Sequence, residues 1–408
     1  MRRFVAVMIP LALLAPAAAG AGPTSCAPPG EEWPTATPEE VGLDPQKLQA
    51  ALDFARPRNA QEIAVFRYGC LVDARRWFQP GATFDSWSIA KSVTSMATGR
   101  AITLGLLDLS DDIGRYVPQA DEEHARITVE QLLTMTSGLH WNLFRDYNIT
   151  MADRVGDALS LRFDHDPGTW FEYMQSPVAL LAKVVEGAAG TDFQDFVQRE
   201  LFGPIDIARG DWTWERDEAG NTVGFMGLNM SADDYARLGH LMLSRGRWGD
   251  RRLIDPSWVK DALSPSAENP GYGYMFWLNE GDRYVAPTVY SRDERDHRHI
   301  VSGPEDMYYM AGIEDQRVYV IPSLEIVIVR FGGPGSREPD TRSSVFTSAS
   351  GEWEHEFYRL FMEAVRGYPY KDPGPYEYSD PVPALDPDYG MLKSAQEPED
   401  WIAGFGRP

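Results

Sequence analysis

Cysteine is nearly absent. Two cysteines in 408 residues exclude a disulfide-stapled mini-fold, a cysteine-rich zinc site and an iron–sulfur cluster held by one chain. Basic charge is scarce as well: 38 Lys and Arg stand against 61 Asp and Glu, for a formal net charge of -23. A chain this acidic is repelled by phosphate backbones, which argues against nucleic acid as a partner. Lysine is especially sparse, with six residues. Beyond the N-terminus no apolar run reaches the roughly 20 residues needed to cross a bilayer. There is no internal repeat at a solenoid period. What the chain does have is a 43% hydrophobic and 12% aromatic content, enough for a large core and too much for wholesale disorder. Its length fits one large domain or two closely packed ones.

The N-terminus reads as a targeting signal. Arg2 and Arg3 precede an apolar stretch from Phe4 to Ala19, and Ala17, Ala18, Ala19 and Gly20 supply small residues for cleavage. The pattern predicts a signal peptide over residues 1–21 and an exported protein, periplasmic or secreted, with no membrane span after cleavage. Residues 22–40 form a Pro-rich irregular arm. Cys26 lies in that arm and Cys70 at the end of a predicted strand. An oxidising compartment permits a Cys26–Cys70 disulfide, and the sequence leaves that pairing open. Neither cysteine has a histidine nearby in sequence, so a cysteine nucleophile has little support.

Further along, Pro45–Ala55 has helical periodicity, and Ile63–Leu71 is a β-rich run with a turn expected at Asp73 and Ala74. Helices are predicted over Ser88–Ile102, Thr128–Met135, Ser176–Glu186, Phe193–Leu201 and Ser231–Leu243. Pro177 suits a first helical turn, and Ser231 with Asp233 and Asp234 suits a helix start. Residues 139–170 read as a loop-rich wall, and 285–306 as an exposed polar insertion. Strands are expected over Met307–Met310, Arg317–Ile321 and Glu325–Arg330, then a helix over Glu352–Val365. From residue 367 to 408 the chain reads as an extended wrap. Strands at both ends with helices between them indicate an α+β body whose sheet draws on both ends of the chain.

Ser88-Ile89-Ala90-Lys91 carries the sharpest chemistry. At the start of a helix, positions i and i+3 share a face. The helix N-terminus adds unpaired N–H groups and a field that favours developing negative charge. Ser88 needs a base, and Lys91 desolvated against Val93 and Met96 has the lowered pKa that role requires. The bland alternative is a helix cap beside a surface lysine. Tyr173, just before the Ser176 helix, is a phenol able to pass a proton when close to an ammonium, or simply a packed loop aromatic. Gly312, after Met310 and Ala311, permits close backbone approach to a ligand. His297 and His299 have ligand-like spacing, but they sit in a charged loop and no metal site is expected.

Together these segments resemble the serine beta-lactamase-like family, which includes penicillin-binding D,D-peptidases, cephalosporinases, carboxylesterases and 6-aminohexanoate-dimer hydrolases. Trp87–Ser95 is similar to its nucleophile segment, and Ile127–Leu139 to the helix and turn that follow. Pro167–Gln175, Ala232–Gly239 and Gln316–Pro322 are also similar to it. The resemblance implies a central antiparallel sheet flanked by helices. The hydrolase domain would span 41–366, with a mostly helical insertion over about 105–270. It implies Ser88 as the acylated nucleophile, Lys91 as its base and Tyr173 as the proton relay. Ser88 and Ile313 would supply the oxyanion-hole N–H groups, with Gln175, Met310, Gly312 and Trp170 binding substrate. No cofactor is implied.

Two positions depart from the family pattern. Gln175 stands where Asn or Ser is usual, and Met310 where Lys or His is usual. Met310 therefore points away from carboxylate-bearing substrates. The following Glu314 and Asp315 point toward neutral or cationic ones. The expected activity is hydrolysis of a small amide or ester through an acyl-enzyme. A cell-wall D,D-peptidase or weak beta-lactamase is the first alternative, and a non-catalytic binding protein on the same scaffold is the second.

Overall fold

The computed structural model describes residues 24–30, 32–289, 291–335, 352–377, 386–397 and 399; the predicted signal peptide lies outside them. One six-stranded antiparallel sheet unites the two ends of the chain. Strands β1 (Ala60–Arg67) and β2 (Cys70–Arg76) come from the N-terminal part. The others are β3 (Trp277–Leu278), β4 (Tyr308–Gly312), β5 (Gln316–Ile321) and β6 (Ile326–Gly332). Their order is β2-β1-β6-β5-β4-β3. Each residue of β5 and β6 is buried because helices cover both faces. Helix α4 (Ala232–Leu243) brings Tyr235 onto Phe331 of β6, and α5 (Glu352–Ala364) brings Tyr358 onto Tyr319 of β5. Helix α1 (Pro45–Ala55), started by the Asp44 cap and Pro45, packs against α5.

The hairpin turn differs from expectation. Tyr68 and Gly69 have φ of 53° and 78°, the doubly left-handed geometry of a tight two-residue hairpin. The chain reverses there, inside the run read as one strand. Asp73 and Ala74 sit within β2, paired with Val65 and Ala64. The apolar run continues across the turn, so hydropathy alone could not mark it.

Cys26 and Cys70 are joined in a disulfide, with Cα atoms 5.2 Å apart and a sequence separation of 44. It ties the N-terminal arm to the edge of the sheet, where Cys26 N also donates to Tyr68 O. Closing a loop of this length contributes about 2–4 kcal/mol. Cys26→Ser is expected to lower unfolding stability by that amount in a denaturant titration. Reductant should do the same to the native protein and leave the variant unchanged.

The helices between the sheet's two halves hold the site. Helix α2 (Ile89–Thr103) is buried on nearly every side. A helix so enclosed must satisfy its hydroxyls internally: Ser92, Ser95 and Thr94 donate to the carbonyls of Met275, Tyr274 and Gly224. Helix α3 (Ser176–Ala189) packs against α2. The segment 285–306 is not a solvated insertion. Tyr284–Ala286 and Asp293–Arg295 pair as a ribbon, and His299 stacks on Tyr284 with ring centroids 3.6 Å apart. Nor is the tail merely extended. Gly390–Gln396 forms helix α6. It is anchored where Leu143 N donates to Ser394 Oγ, Met391 N donates to Val289 O, and Lys393 pairs with Asp164.

Candidate active site

Ser88 stands at the junction between a short strand, Phe84–Asp85, and α2. Trp87 just before it has φ of 45°, a left-handed conformation uncommon for a bulky residue. The turn is held by Asp85, whose carboxylate accepts from Trp87 N at 2.8 Å. Ser88 makes no capping bond with its own helix, so its hydroxyl is available for other partners. One turn along α2, Lys91 is 1% exposed, and its Nζ donates to Ser88 Oγ at 2.8 Å. The surface-lysine alternative is thereby removed. Lys91 also donates to Gln175 Oε1 at 2.6 Å. Burial lowers the Lys91 ammonium from 10.5 to about 7, against the opposing pull of the Asp146 carboxylate.

Tyr173 completes the cluster. It lines the same cleft as Ser88, and Lys91 Nζ lies 4.8 Å from its ring centroid. Burial pushes the phenol up to about 12, while the Ser88 hydroxyl and the Arg317 charge pull the other way. Ser88 thus lies between a poised amine and a protonated phenol.

Strand β4 forms the opposite rim. Gly312 and Ile313 line the same cleft as Ser88 and Tyr173. A Cβ on Gly312 would come within 2.3 Å of Ser86 O and 3.0 Å of Trp87 Cβ, so only glycine lets this strand end approach the Ser88 turn. Gly312→Ala is expected to push Ile313 away from Ser88 and reduce kcat by about a hundredfold or more. Steady-state kinetics beside a thermal melt would separate this from general unfolding.

The cleft encloses about 110 Å³. Beyond Ser88 its walls are Tyr147, Trp277, Tyr284, His299 and Tyr309, with Ala286 and Pro287 at one side. Its charges come in pairs. Arg317 binds both Asp315 and Glu354 at 3.0 Å, and Arg295 binds Asp293 at 2.8 Å. Asp315 is therefore neutralised rather than repelling anions, and only Glu314 beside it is exposed.

Other sequence-derived site residues are placed differently. Tyr309 and Ala311 line the cleft. Strand alternation turns Met310 to the other face, where it is fully buried. Met310 does not wall the cleft. Trp170 lines a neighbouring cavity of about 360 Å³ with Glu172, Arg292 and Tyr389, not the Ser88 cleft. Gln175 is buried and engaged with Lys91 instead of facing the cleft. Asp146, His299, Tyr309, Arg317 and Glu354 were not marked as site residues, because only the tertiary fold brings them to Ser88. Among the described residues, no group of three or more His, Cys, Asp or Glu could hold a metal ion.

The Beta-lactamase family model matches residues 59–332, which covers the sheet, the Ser88 turn and both rims. The chain belongs to the beta-lactamase family. Among curated relatives, the 6-aminohexanoate-dimer hydrolase of Paenarthrobacter ureafaciens is 26% identical over 291 residues, covering 66% of this chain and 70% of that enzyme. Among solved structures, a beta-lactamase from Mycobacterium bovis superposes with a TM-score of 0.53 at 15% identity, covering 76% of this chain and 99% of that one. The octameric penicillin-binding protein homologue from Pyrococcus abyssi gives 0.52 at 17% identity, covering 72% and 74%. At such identities the structural likeness concerns the fold. It is the α+β beta-lactamase fold, a central antiparallel sheet with flanking helices and an inserted helical region.

Proposed function

We propose that this protein is a serine hydrolase that cleaves a small amide or ester through an acyl-enzyme. The observation that carries the reading is the 2.8 Å Lys91–Ser88 hydrogen bond, made by a buried lysine whose pKa is about 7. Neutral Lys91 takes the Ser88 proton as Oγ attacks the substrate carbonyl. The N–H groups of Ser88 and Ile313 receive the developing oxyanion. Tyr173 hands a proton to the departing amine or alcohol, then assists the water that releases the acyl group.

The paired charges and aromatic walls of the cleft favour small, weakly charged substrates. Similarity to a 6-aminohexanoate-dimer hydrolase adds short linear amides to that class. Export to an oxidising compartment fits the Cys26–Cys70 disulfide. Intact-mass analysis after a fluorophosphonate and, separately, after a penicillin tests the reading. A single fluorophosphonate adduct, lost in Ser88→Ala, is expected. A stoichiometric, long-lived penicilloyl adduct favours the D,D-peptidase alternative. Folded protein that accepts neither reagent at neutral to alkaline pH contradicts the hydrolase reading.

A further inference from the structure

Asp146 belongs to none of the sequence motifs, yet it touches the segment that holds Lys91. It ends the short helix Leu143–Asp146 and is 3% exposed. Its carboxylate accepts from Gln175 N at 3.0 Å, Ser176 N at 3.2 Å, Ser176 Oγ at 3.1 Å and Trp141 Nε1 at 3.2 Å. Burial raises the Asp146 carboxyl above the usual carboxylate range, while the Gln175 and Ser176 donors and the Arg154 and Lys91 charges act the other way and favour its ionised form. Helix α3 receives no side-chain cap from Gln175, the residue at its start. Asp146 supplies that cap from 29 residues away, where a negative charge also meets the positive end of the helix.

The consequence reaches Lys91 through Gln175. With its backbone fixed by Asp146, Gln175 presents Oε1 to Lys91 Nζ at 2.6 Å. Tyr147, next to Asp146 in sequence, has the Gln175 side chain acting on its phenol and lines the cleft. The groups around Lys91 are few. Ser88 and Gln175 accept from it, Phe225 O lies at 3.5 Å and the Tyr173 ring stands beside it. Asp146 is the charged group that acts on it; Arg154, which donates to Asp146 O, and the buried carboxyl of Glu172 are other titratable groups that face Asp146.

We propose that Asp146 is a positioning residue for the Ser88–Lys91 pair, fixing the Gln175 backbone so that its amide is locked against Lys91. The inference rests on the acyl-transfer reading above. Its test is the pH dependence of fluorophosphonate labelling of Ser88 in the full-length protein, for wild type, Asp146→Asn, Asp146→Glu and Ser176→Ala. A nearby negative charge favours the ammonium, so its removal makes Lys91 lose its proton at lower pH. The acid limb of Asp146→Asn is expected to move down by about half a pH unit or more. Its limiting rate is expected to fall about tenfold, and Asp146→Glu should restore the limb.

Ser176→Ala is the milder change and keeps the test open should Asp146→Asn fail to fold. Losing one donor weakens the hold on the ionised carboxylate and favours its protonation, so that limb should move to lower pH, in the same direction as Asp146→Asn but by less. A purely structural role lowers rates at every pH with the limb unmoved in the folded variants, and that result overturns the inference. A wild type that is not labelled at any pH overturns the acyl-transfer reading, and this inference with it.

Discussion

Ser88→Ala is expected to reduce kcat/KM on any accepted ester or amide by roughly 10⁶-fold, the scale of loss when a serine hydrolase loses its nucleophile. Its melting temperature should barely change. Ser88 makes no capping bond to α2, and its hydroxyl is bound within the site, by Lys91. Loss of activity without loss of fold is what separates a nucleophile from a structural serine. Activity within tenfold of wild type would assign the chemistry elsewhere. The natural comparison is a panel of short-chain esters, aminohexanoate oligomers and D-amino-acid amides, which also narrows the substrate class.

Lys91→Met should abolish activity and stabilise the protein near neutral pH. In the folded state the Lys91 pKa is about 7, whereas the ordinary value is 10.5. Between those two values the unfolded chain binds a proton that the folded chain does not. Wild-type stability therefore rises from pH 7 toward 10.5, and it is lost as the pH falls back through that window. Methionine, similar in length and uncharged, removes this penalty, which is on the order of several kcal/mol at and below neutrality. Part of the gain is offset because Ser88 and Gln175 lose a donor, each at about 1–3 kcal/mol. Melts at pH 7 and pH 9 test the sign: the variant should melt at or above wild type at pH 7, and its advantage should shrink at pH 9. A variant that melts well below wild type at pH 7 would mean that burying Lys91 stabilises the fold, and its assignment as a strained catalytic base would fail. The same titration gives wild-type activity that climbs as pH rises through about 7.

Much of this was legible in the sequence because local pattern and tertiary role coincide. Pro45–Ala55 announces itself through its cap and apolar face, and the closing strands through unbroken β-branched runs. The Ser88–Lys91 spacing places both side chains on one helical face whatever surrounds them. Illegible features depend on what packs against them. The turn at Tyr68–Gly69 hides inside an apolar run. Met310, expected at the cleft, faces away from it while Ala311 lines it, because a strand's two faces cannot be assigned without its neighbours. The polar segment at 285–306 looks solvated in composition, yet it places Arg295 beside Asp293 and stacks His299 on Tyr284. Asp146 carries no local signal, because its partners at Gln175 and Ser176 are brought to it only by the fold.

The central claim is that Ser88 carries the acyl group during turnover. Rapid-quench intact-mass spectrometry on the most reactive ester of the panel, followed by peptide mapping, tests it directly. The account predicts a transient adduct with the mass of the acyl group, located on Ser88, formed faster than steady-state turnover and absent in Ser88→Ala. Sustained turnover with no adduct, or an adduct on another residue, would contradict it.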